Sequence, residues 1–150
     1  AMAQRVVVDL APLAFAAGYE IDFRAHESVI HIWGDQTALE RALTNLVQNA
    51  IQHGGRRGTI TVRVGKALSG ASEVEVCDEG EGIPPGEAER IVEPFHRLRH
   101  DGKGAGLGLN LVREIVHLHG GHVSATNAPN GGACLNVVLP SASEQRVLTN

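Results

Sequence analysis

Hydrophobic and polar residues follow regular spacings along most of this chain. An alternation from Tyr19 to Phe23 predicts a half-buried strand, and Val29–Trp33 predicts a second one. A long helix is expected from Asp35 or Gln36 to the glycine pair at 54–55, because glycine commonly ends helices. Apolar residues recur along this helix at spacings of three and four: Leu39, Leu43, Leu46, Val47, Ala50 and Ile51.

The remaining pattern predicts three more helices and four more strands. Residues 4–17 are apolar and alanine-rich; Gly18 is expected to end this helix, and Pro12 to kink it or mark a late start. The other predicted helices are Glu87–Val92 and Leu107–Leu118, and the predicted strands are Thr59–Val64, Val74–Val76, His122–Thr126 and Cys134–Leu139. This mixture predicts an α+β fold, a two-layer α/β sandwich in which helices cover one face of a mixed, mostly antiparallel sheet.

Length and composition indicate one globular domain. The 150 residues are 43% hydrophobic and 20% charged. A chain of this size buries roughly two-thirds of its unfolded surface, so it needs no disulfide or metal ion to fold. We expect residues 4–140 to form the domain and residues 141–150 a polar tail. Residues 1–3 are expected to be partly a cloning remnant.

Charge and residue content exclude several classes of function. The net charge of −4 and the 3% aromatic content argue against a nucleic-acid binder. The chain contains no apolar run near the roughly 20 residues of a membrane span, so we expect no direct membrane contact. Cys77 and Cys134 lie far apart and are expected to be buried thiols on strands, which favours a reducing compartment, the cytoplasm.

Eighteen glycines concentrate in clusters that could bind phosphate. The run Gly104–Gly108 opens a predicted helix, where backbone N–H groups and the helix dipole favour an anion. Its spacing matches neither the P-loop nor the Rossmann fingerprint. Considered alone, the run fits a flexible hinge better.

Two further features could bind a ligand. Asp78–Ile83 follows an apolar strand, so its first carboxylate could accept a hydrogen bond from a ligand amino group; an acidic turn is the simpler interpretation. Asn45 and Asn49 share one helix face, and their amide oxygens could hold a hydrated Mg²⁺. A pair of surface asparagines is an equally good interpretation of that spacing.

Together, and in this order, these motifs resemble the ATP-binding catalytic domain of sensor histidine kinases, a branch of the GHKL ATPase–kinase superfamily. The resemblance extends from about residue 4 to Pro140. It rests on an asparagine box, two glycine boxes and a phenylalanine box: Asn45–Ala50, Asp78–Ile83, Gly104–Leu109 and Glu93–Arg97. Four ordered motifs make the match specific, and it implies a Bergerat-type sandwich that binds ATP and Mg²⁺.

The resemblance also implies a role for individual residues. Asp78 would accept the adenine amino group, and Asn49 and Asn45 would position Mg²⁺ against the triphosphate. Asn45 is also expected to be a catalytic residue. The remaining ATP-binding residues implied by the motifs are Gly80, Gly82, Ile83, Gln52, His53, Phe95, Lys103, Gly104, Gly106, Leu107 and Gly108.

Residues 96–104 correspond to the ATP lid in this resemblance. Arg97, Arg99 and Lys103 outnumber a single acid there, Asp101. A mobile cationic loop suits a polyphosphate that must be admitted and then enclosed. Arg97 matches the lid arginine of the family and is expected to contact the γ-phosphate as a catalytic residue; a solvated basic loop is the alternative.

The chain departs from the family pattern beside the second asparagine. The family often carries Lys or Arg three residues further on, where this chain has Gln52, and often an aromatic next, where it has His53. The lid is also short. These departures support an alternative to the kinase domain, a catalytically inactive nucleotide-sensing or partner-binding module of the same fold.

Asn45 separates the histidine kinase branch from its relatives. Hydrolytic members and anti-sigma serine kinases usually carry Glu there as a general base, and an amide cannot take a proton. Asn45 therefore indicates transfer to a histidine, with little hydrolysis, and disfavours a serine kinase.

None of the eight histidines matches an acceptor. We expect the acceptor on a dimerisation hairpin absent from this chain, a response regulator downstream, and a monomer that does not phosphorylate itself. For His117, His119 and His122 at a helix end, capping is expected over metal binding.

Overall fold

A mixed sheet organises the fold in this computed structural model, which describes residues 2–25, 34–53, 58–67, 70–80, 105–128 and 131–140. The strands are β1 (Tyr19–Ala25), β2 (Gly58–Lys66), β3 (Ser72–Cys77), β4 (His122–Asn127) and β5 (Ala133–Leu139). They lie in the order β1-β2-β3-β5-β4. β1 and β2 are parallel, and the other three pairings are antiparallel. The expected mixed, mostly antiparallel sheet is therefore confirmed.

Three helices lie among the described residues: α1 (Met2–Ala16), α2 (Gln36–His53) and α3 (Ala105–Leu118). α1 packs against β1 and α2, and α2 packs over β2 and β3. α3 packs against α2, β4 and β5. The crossover that parallel strands require between β1 and β2 contains α2.

The two faces of the sheet differ in chemistry because side chains alternate along each strand. The inner, helix-covered face is apolar and consists mainly of Tyr19, Ile21, Phe23, Ile60, Val62, Val74, Val76, Val123, Ala125, Leu135, Val137 and Leu139. The outer face carries polar residues in the same register, among them Glu20, Asp22, Arg24, Thr59, Thr61, Arg63, Glu73, Glu75, Asn136, Ser124 and Thr126. Helices thus cover one face, as expected.

Helix boundaries agree with the sequence to within about two residues, and α1 begins at Met2 rather than Gln4. α1 continues through Pro12, so a late start there is wrong; Val8, whose carbonyl loses its helical partner, is 62% exposed and can be solvated. Gly18 follows α1 with a φ of 91°, as expected of a helix stop. α3 begins at Ala105 rather than Leu107, so most of the second glycine box is helical.

The expectation of two buried thiols is wrong. Cys77 and Cys134 form a disulfide, with their Cα atoms 4.1 Å apart. Their separation of 57 residues is no obstacle, because β3 and β5 pair antiparallel with these two residues opposite each other. The pair lies on the outer face of the sheet, outside the main hydrophobic core.

Two sequence-based elements fall outside the described residues. They are the strand Val29–Trp33 and the helix Glu87–Val92. No helix in the described part of the chain is both long and apolar enough to span a membrane.

Candidate functional site

The carboxylate of Asp78 lies at the end of β3, where the chain turns out of the sheet. Its Oδ1 accepts hydrogen bonds from the backbone N–H groups of Gly80, at 2.9 Å, and Ala133, at 3.1 Å. The backbone N–H of Asp78 in turn donates to the Ala133 carbonyl, at 2.9 Å. These bonds come from two different chain segments, so the carboxylate has a fixed orientation. Its second oxygen, Oδ2, has no hydrogen bond to any described residue.

Gly132 lies directly against this turn. A Cβ atom added to it would come within 1.9 Å of the Asp78 carbonyl oxygen and 3.0 Å of Glu79 Cα. The first of these distances is too short for any side chain and the second is tight, so only glycine permits the segment before β5 to approach the Asp78–Glu79 peptide this closely.

Glu79 connects the same turn to the neighbouring strand. Its Oε1 accepts a hydrogen bond from the backbone N–H of Thr59, at 2.5 Å. Gly58, the residue before Thr59, has a φ of 137°, and a Cβ atom on it would lie 2.8 Å from the Oε1 of Glu79. The turn is therefore held by β5 on one side and by β2 on the other.

Tyr19 is a buried neighbour of the carboxylate, and no sequence motif singled it out. Burial and, to a lesser extent, the charge on Asp78 raise the pKa of the Tyr19 phenol above its ordinary value. Period-2 alternation from the buried Val76 directs Asp78 to the inner face of the sheet, the face to which Tyr19 belongs. The carboxylate thus lies on the helix-covered side.

Asn45 and Asn49 lie one turn apart on α2, at the edge of its buried stripe, and both are half-buried. The described residues make no hydrogen bond to either side-chain amide. Gln52, one turn beyond Asn49, is exposed, and His53 ends the helix. α2 packs over β2 and β3, so it carries the asparagines across the strands that hold the Asp78 turn.

The start of α2 is fixed by polar contacts. The Oδ1 of Asp35 accepts a hydrogen bond from the backbone N–H of Ala38, at 3.1 Å, which is an N-cap. Arg5 on α1 forms an ion pair with Glu40. Gln36 also donates a hydrogen bond to Glu40, at 3.1 Å. This hydrogen bond and the interaction with Arg5 together lower the pKa of the Glu40 carboxyl.

His119 acts as a cap, as expected, and connects two helices. The Asp35 backbone N–H donates to its Nε2, at 3.0 Å, so Nδ1 carries the proton and donates to the Ile115 carbonyl, at 2.7 Å. Both ring nitrogens are therefore occupied. Within the described ranges, one group of three residues could bring metal ligands together, Glu75, Cys77 and Cys134, and its two sulfurs are joined in the disulfide.

The second glycine box forms the first turn of α3. Gly106, Leu107 and Gly108 have helical backbone there. The first four N–H groups of a helix have no partner within it, so this turn presents donors in the manner of an anion site. The other expected site residues, Gly82, Ile83, Phe95, Arg97, Lys103 and Gly104, lie outside the described residues.

Sequence reasoning missed the partners of Asp78. Gly132 and Ala133 follow Asp78 by more than fifty residues, and only the pairing of β3 with β5 brings them to it. A glycine pair at 131–132, just before a predicted strand, was the available signal, since it marks a close backbone approach. Tyr19 had no such signal.

Comparison with known proteins gives consistent similarities. Residues 34–143 match the family described as histidine kinase-, DNA gyrase B-, and HSP90-like ATPase. The adaptive-response sensory kinase SasA of Crocosphaera subtropica is 37% identical over 116 residues, which are 76% of this chain and 30% of SasA. The sensor protein KdpD of Escherichia coli is 38% identical over 118 residues, 75% of this chain and 12% of KdpD. The chain thus spans less than a third of these relatives.

A solved structure gives the same similarity in three dimensions. The catalytic domain of histidine kinase ThkA superimposes with a TM-score of 0.81 at 28% identity, covering 93% of this chain and 90% of that one.

Proposed function

Because this chain belongs to the family of histidine kinase-, DNA gyrase B- and HSP90-like ATPases, as the ATP-binding domain of a sensor histidine kinase, we propose that it binds Mg-ATP and donates the γ-phosphate to a histidine. The acceptor would lie on a dimerisation hairpin outside this chain. The phosphate would then pass to a response regulator, in the cytoplasm.

The geometry of Asp78 carries the proposal. Two backbone N–H groups engage Oδ1, which leaves Oδ2 as an oriented acceptor at the end of a strand. The amino group of adenine is a donor, whereas guanine presents a carbonyl oxygen at the equivalent position. An oriented carboxylate acceptor therefore favours adenine, because guanine would place one acceptor against another.

The asparagines of α2 suit magnesium. Amide oxygens are hard ligands, and Mg²⁺ keeps several waters and needs few protein ligands. Asn49 and Asn45 would hold the ion against the triphosphate, and the ion would neutralise charge that develops on the phosphates. The N–H groups in the first turn of α3 would bind phosphate oxygens.

Asn45 supports transfer to histidine over hydrolysis. A general base beside the phosphate would activate water, and Asn45 cannot accept a proton. The nearest carboxylate before it on α2 belongs to Glu40, five residues earlier, and it is engaged by Arg5 and Gln36. A neutral imidazole is already nucleophilic near pH 7, so it needs no such base. Arg97 would contact the γ-phosphate.

A calorimetric titration tests the proposal. The 150-residue chain is titrated with a non-hydrolysable ATP analogue, with and without Mg²⁺, and with the corresponding GTP analogue. We expect adenine-selective binding that Mg²⁺ strengthens. Absence of binding at millimolar analogue would contradict the proposal and favour an inactive module of the same fold.

Substitutions on α2 locate the magnesium effect. Asn49→Ala is expected to remove the difference between titrations with and without Mg²⁺. Gln48→Ala is the matched control, because it removes an amide from the preceding position of the helix, about 100° around the axis from Asn49. This variant is expected to retain the Mg²⁺ dependence of binding. Equal Mg²⁺ dependence in wild type and Asn49→Ala would show that Asn49 does not position the ion.

Transfer is tested separately. The chain, Mg-ATP and a supplied histidine hairpin from the parent kinase are expected to yield acid-labile phosphohistidine, whereas a serine substrate is expected to yield none. Arg97→Ala is expected to reduce transfer more than analogue binding.

A further inference from the structure

The disulfide lies at the end of a strand ladder, immediately beside the turn that holds Asp78. Cys77 and Cys134 are the last of six residue pairs that join β3 to β5. The next pair along the ladder is hydrogen-bonded, because the Asp78 N–H donates to the Ala133 carbonyl. Hydrogen-bonded and non-hydrogen-bonded pairs alternate in antiparallel strands, so the two cysteines form a non-hydrogen-bonded pair. Such pairs bring Cα atoms within about 4.5 Å, which agrees with the 4.1 Å found here.

Each cysteine is covalently adjacent to one partner of the carboxylate hydrogen bond. Cys77 precedes Asp78, the acceptor, and Cys134 follows Ala133, whose N–H donates to Oδ1 at 3.1 Å. The disulfide therefore holds together the two segments whose contact orients the carboxylate. It does so from the opposite face of the sheet, because Asp78 lies on the inner face and the cysteines on the outer one.

The two strands do not depend on the disulfide for their pairing. Five other residue pairs of the ladder, from Ser72 opposite Leu139 to Val76 opposite Leu135, precede it. The inner-face residues of those pairs, Val74, Val76, Leu135 and Val137 among them, pack against the core. Reduction would consequently affect the end of the ladder, where the Asp78 turn begins, while the sheet remains formed.

We propose that Cys77 and Cys134 form a thiol–disulfide exchange site for low-molecular-weight thiols of the glutathione class, and that their pairing tightens nucleotide binding by fixing the Asp78 turn. The second half of this statement rests on the proposed function. Disulfides are rare in reducing compartments, and those present there are usually transient, catalytic or redox-sensing. The proposed transfer of phosphate to a cytoplasmic response regulator therefore favours a reversible pair.

The chemistry balances with a small disulfide as the oxidant. The Cys77 thiolate attacks one of its sulfurs and releases the first small thiolate, giving a mixed disulfide. The Cys134 thiolate then attacks the Cys77 sulfur and releases the second. Two electrons pass from the protein dithiol to the small disulfide, and the two thiol protons end on the released thiols. Cys77 is half-buried and Cys134 only 7% exposed, so Cys77 makes the first exchange.

The first experiment tests exchange. The chain is equilibrated with reduced and oxidised glutathione at ratios from strongly reducing to strongly oxidising, alkylated with iodoacetamide, and weighed by mass spectrometry. We expect the two cysteines to change together from both alkylated to neither as the ratio becomes oxidising. A pair that stays in one form at every ratio would overturn the exchange site.

The second experiment tests coupling to the turn. We expect the reduced chain to bind the ATP analogue about 2- to 10-fold more weakly, the value of one hydrogen bond. Exchange of the Ala133 amide hydrogen is expected to accelerate by a similar factor, with no change at Val137 in the middle of β5. Equal affinity and equal Ala133 exchange in both states would overturn the coupling.

The failure of the proposed function can be distinguished from the failure of the redox proposal. If neither redox state binds the analogue, the proposed function fails, and the Ala133 amide still decides whether the disulfide fixes the turn. The double variant with Cys77→Ser and Cys134→Ser has no thiol left to exchange, so it is expected to bind like the reduced chain at every glutathione ratio. A variant that binds as tightly as the oxidised chain would overturn the proposal.

Discussion

The Asp78 turn and the asparagine face of α2 belong to one candidate site but are built differently. Asp78 is oriented by backbone N–H groups from two segments, and its neighbour Glu79 is bonded to β2. Asn45 and Asn49 stand half-buried on a helix, with no side-chain hydrogen bond to the described residues. Among the described residues, backbone groups thus orient the carboxylate itself, whereas the two amides are placed only by the helix that carries them.

This difference follows from what each group would bind. Base selectivity needs a fixed acceptor, because a donor and an acceptor are told apart only if the carboxylate cannot turn away. A hydrated ion exchanges water for amide oxygen with little directional demand from the protein. Changes to the backbone around Asp78 should therefore cost more than changes on α2.

Gly132→Ala is expected to have the largest effect. Its Cβ would lie 1.9 Å from the Asp78 carbonyl oxygen, so backbone must move, and overpacking of this kind costs about 3 kcal/mol of unfolding free energy. Urea denaturation measures the loss, and analogue titration should show weaker binding because the carboxylate is displaced.

Gly65→Ala is the matched control. A Cβ at Gly65, also in a strand, meets nothing within 4 Å, so stability should be unchanged or rise by up to about 1 kcal/mol. If both variants lose the same stability, close packing against Asp78 is not what Gly132 provides.

Asp78→Asn should have the next largest effect, on affinity. The amide oxygen can keep the two backbone hydrogen bonds, which places an NH₂ donor where Oδ2 was. A donor would then oppose the adenine amino group, and we expect ATP affinity to fall about 10- to 100-fold, with adenine selectivity lost. Competition titration with ATP and GTP measures both. Unchanged ATP affinity would remove Asp78 from the base site.

The sequence predicted the elements of the fold better than the contacts of the site. Period-2 alternation placed β1, and the spacing of Leu39 to Ile51 placed α2, because each pattern depends on local burial. The asparagine box and Asp78 were predicted as site residues because they belong to short, ordered motifs, and their roles stay predictions.

Long-range pairing was beyond the sequence. The disulfide and the Ala133–Asp78 hydrogen bond both depend on β3 lying beside β5, although 57 residues separate the cysteines. Buried thiols were a reasonable expectation for two cysteines on strands. The register between β3 and β5 places the two cysteines opposite each other, and no local sequence pattern reports that register.

Glu40→Gln should have the smallest effect and should be confined to the α2 side. The hydrogen bond from Gln36 and the ion pair with Arg5 lower the pKa of Glu40, so its stabilising contribution is present above the ordinary pKa of 4.5 and is lost as the pH falls through the lowered value. We expect a slight decrease in Tm at pH 7 and low salt, which disappears in acid and at high salt. Glu114→Gln, which removes an exposed charge from α3, is the control.

The preference of the Glu40→Gln variant for ATP over GTP should not change, because β2 and β5 hold the Asp78 turn through the hydrogen bonds described above. A change in that preference would show that the Asp78 turn and the asparagine face of α2 are coupled through the helix layer.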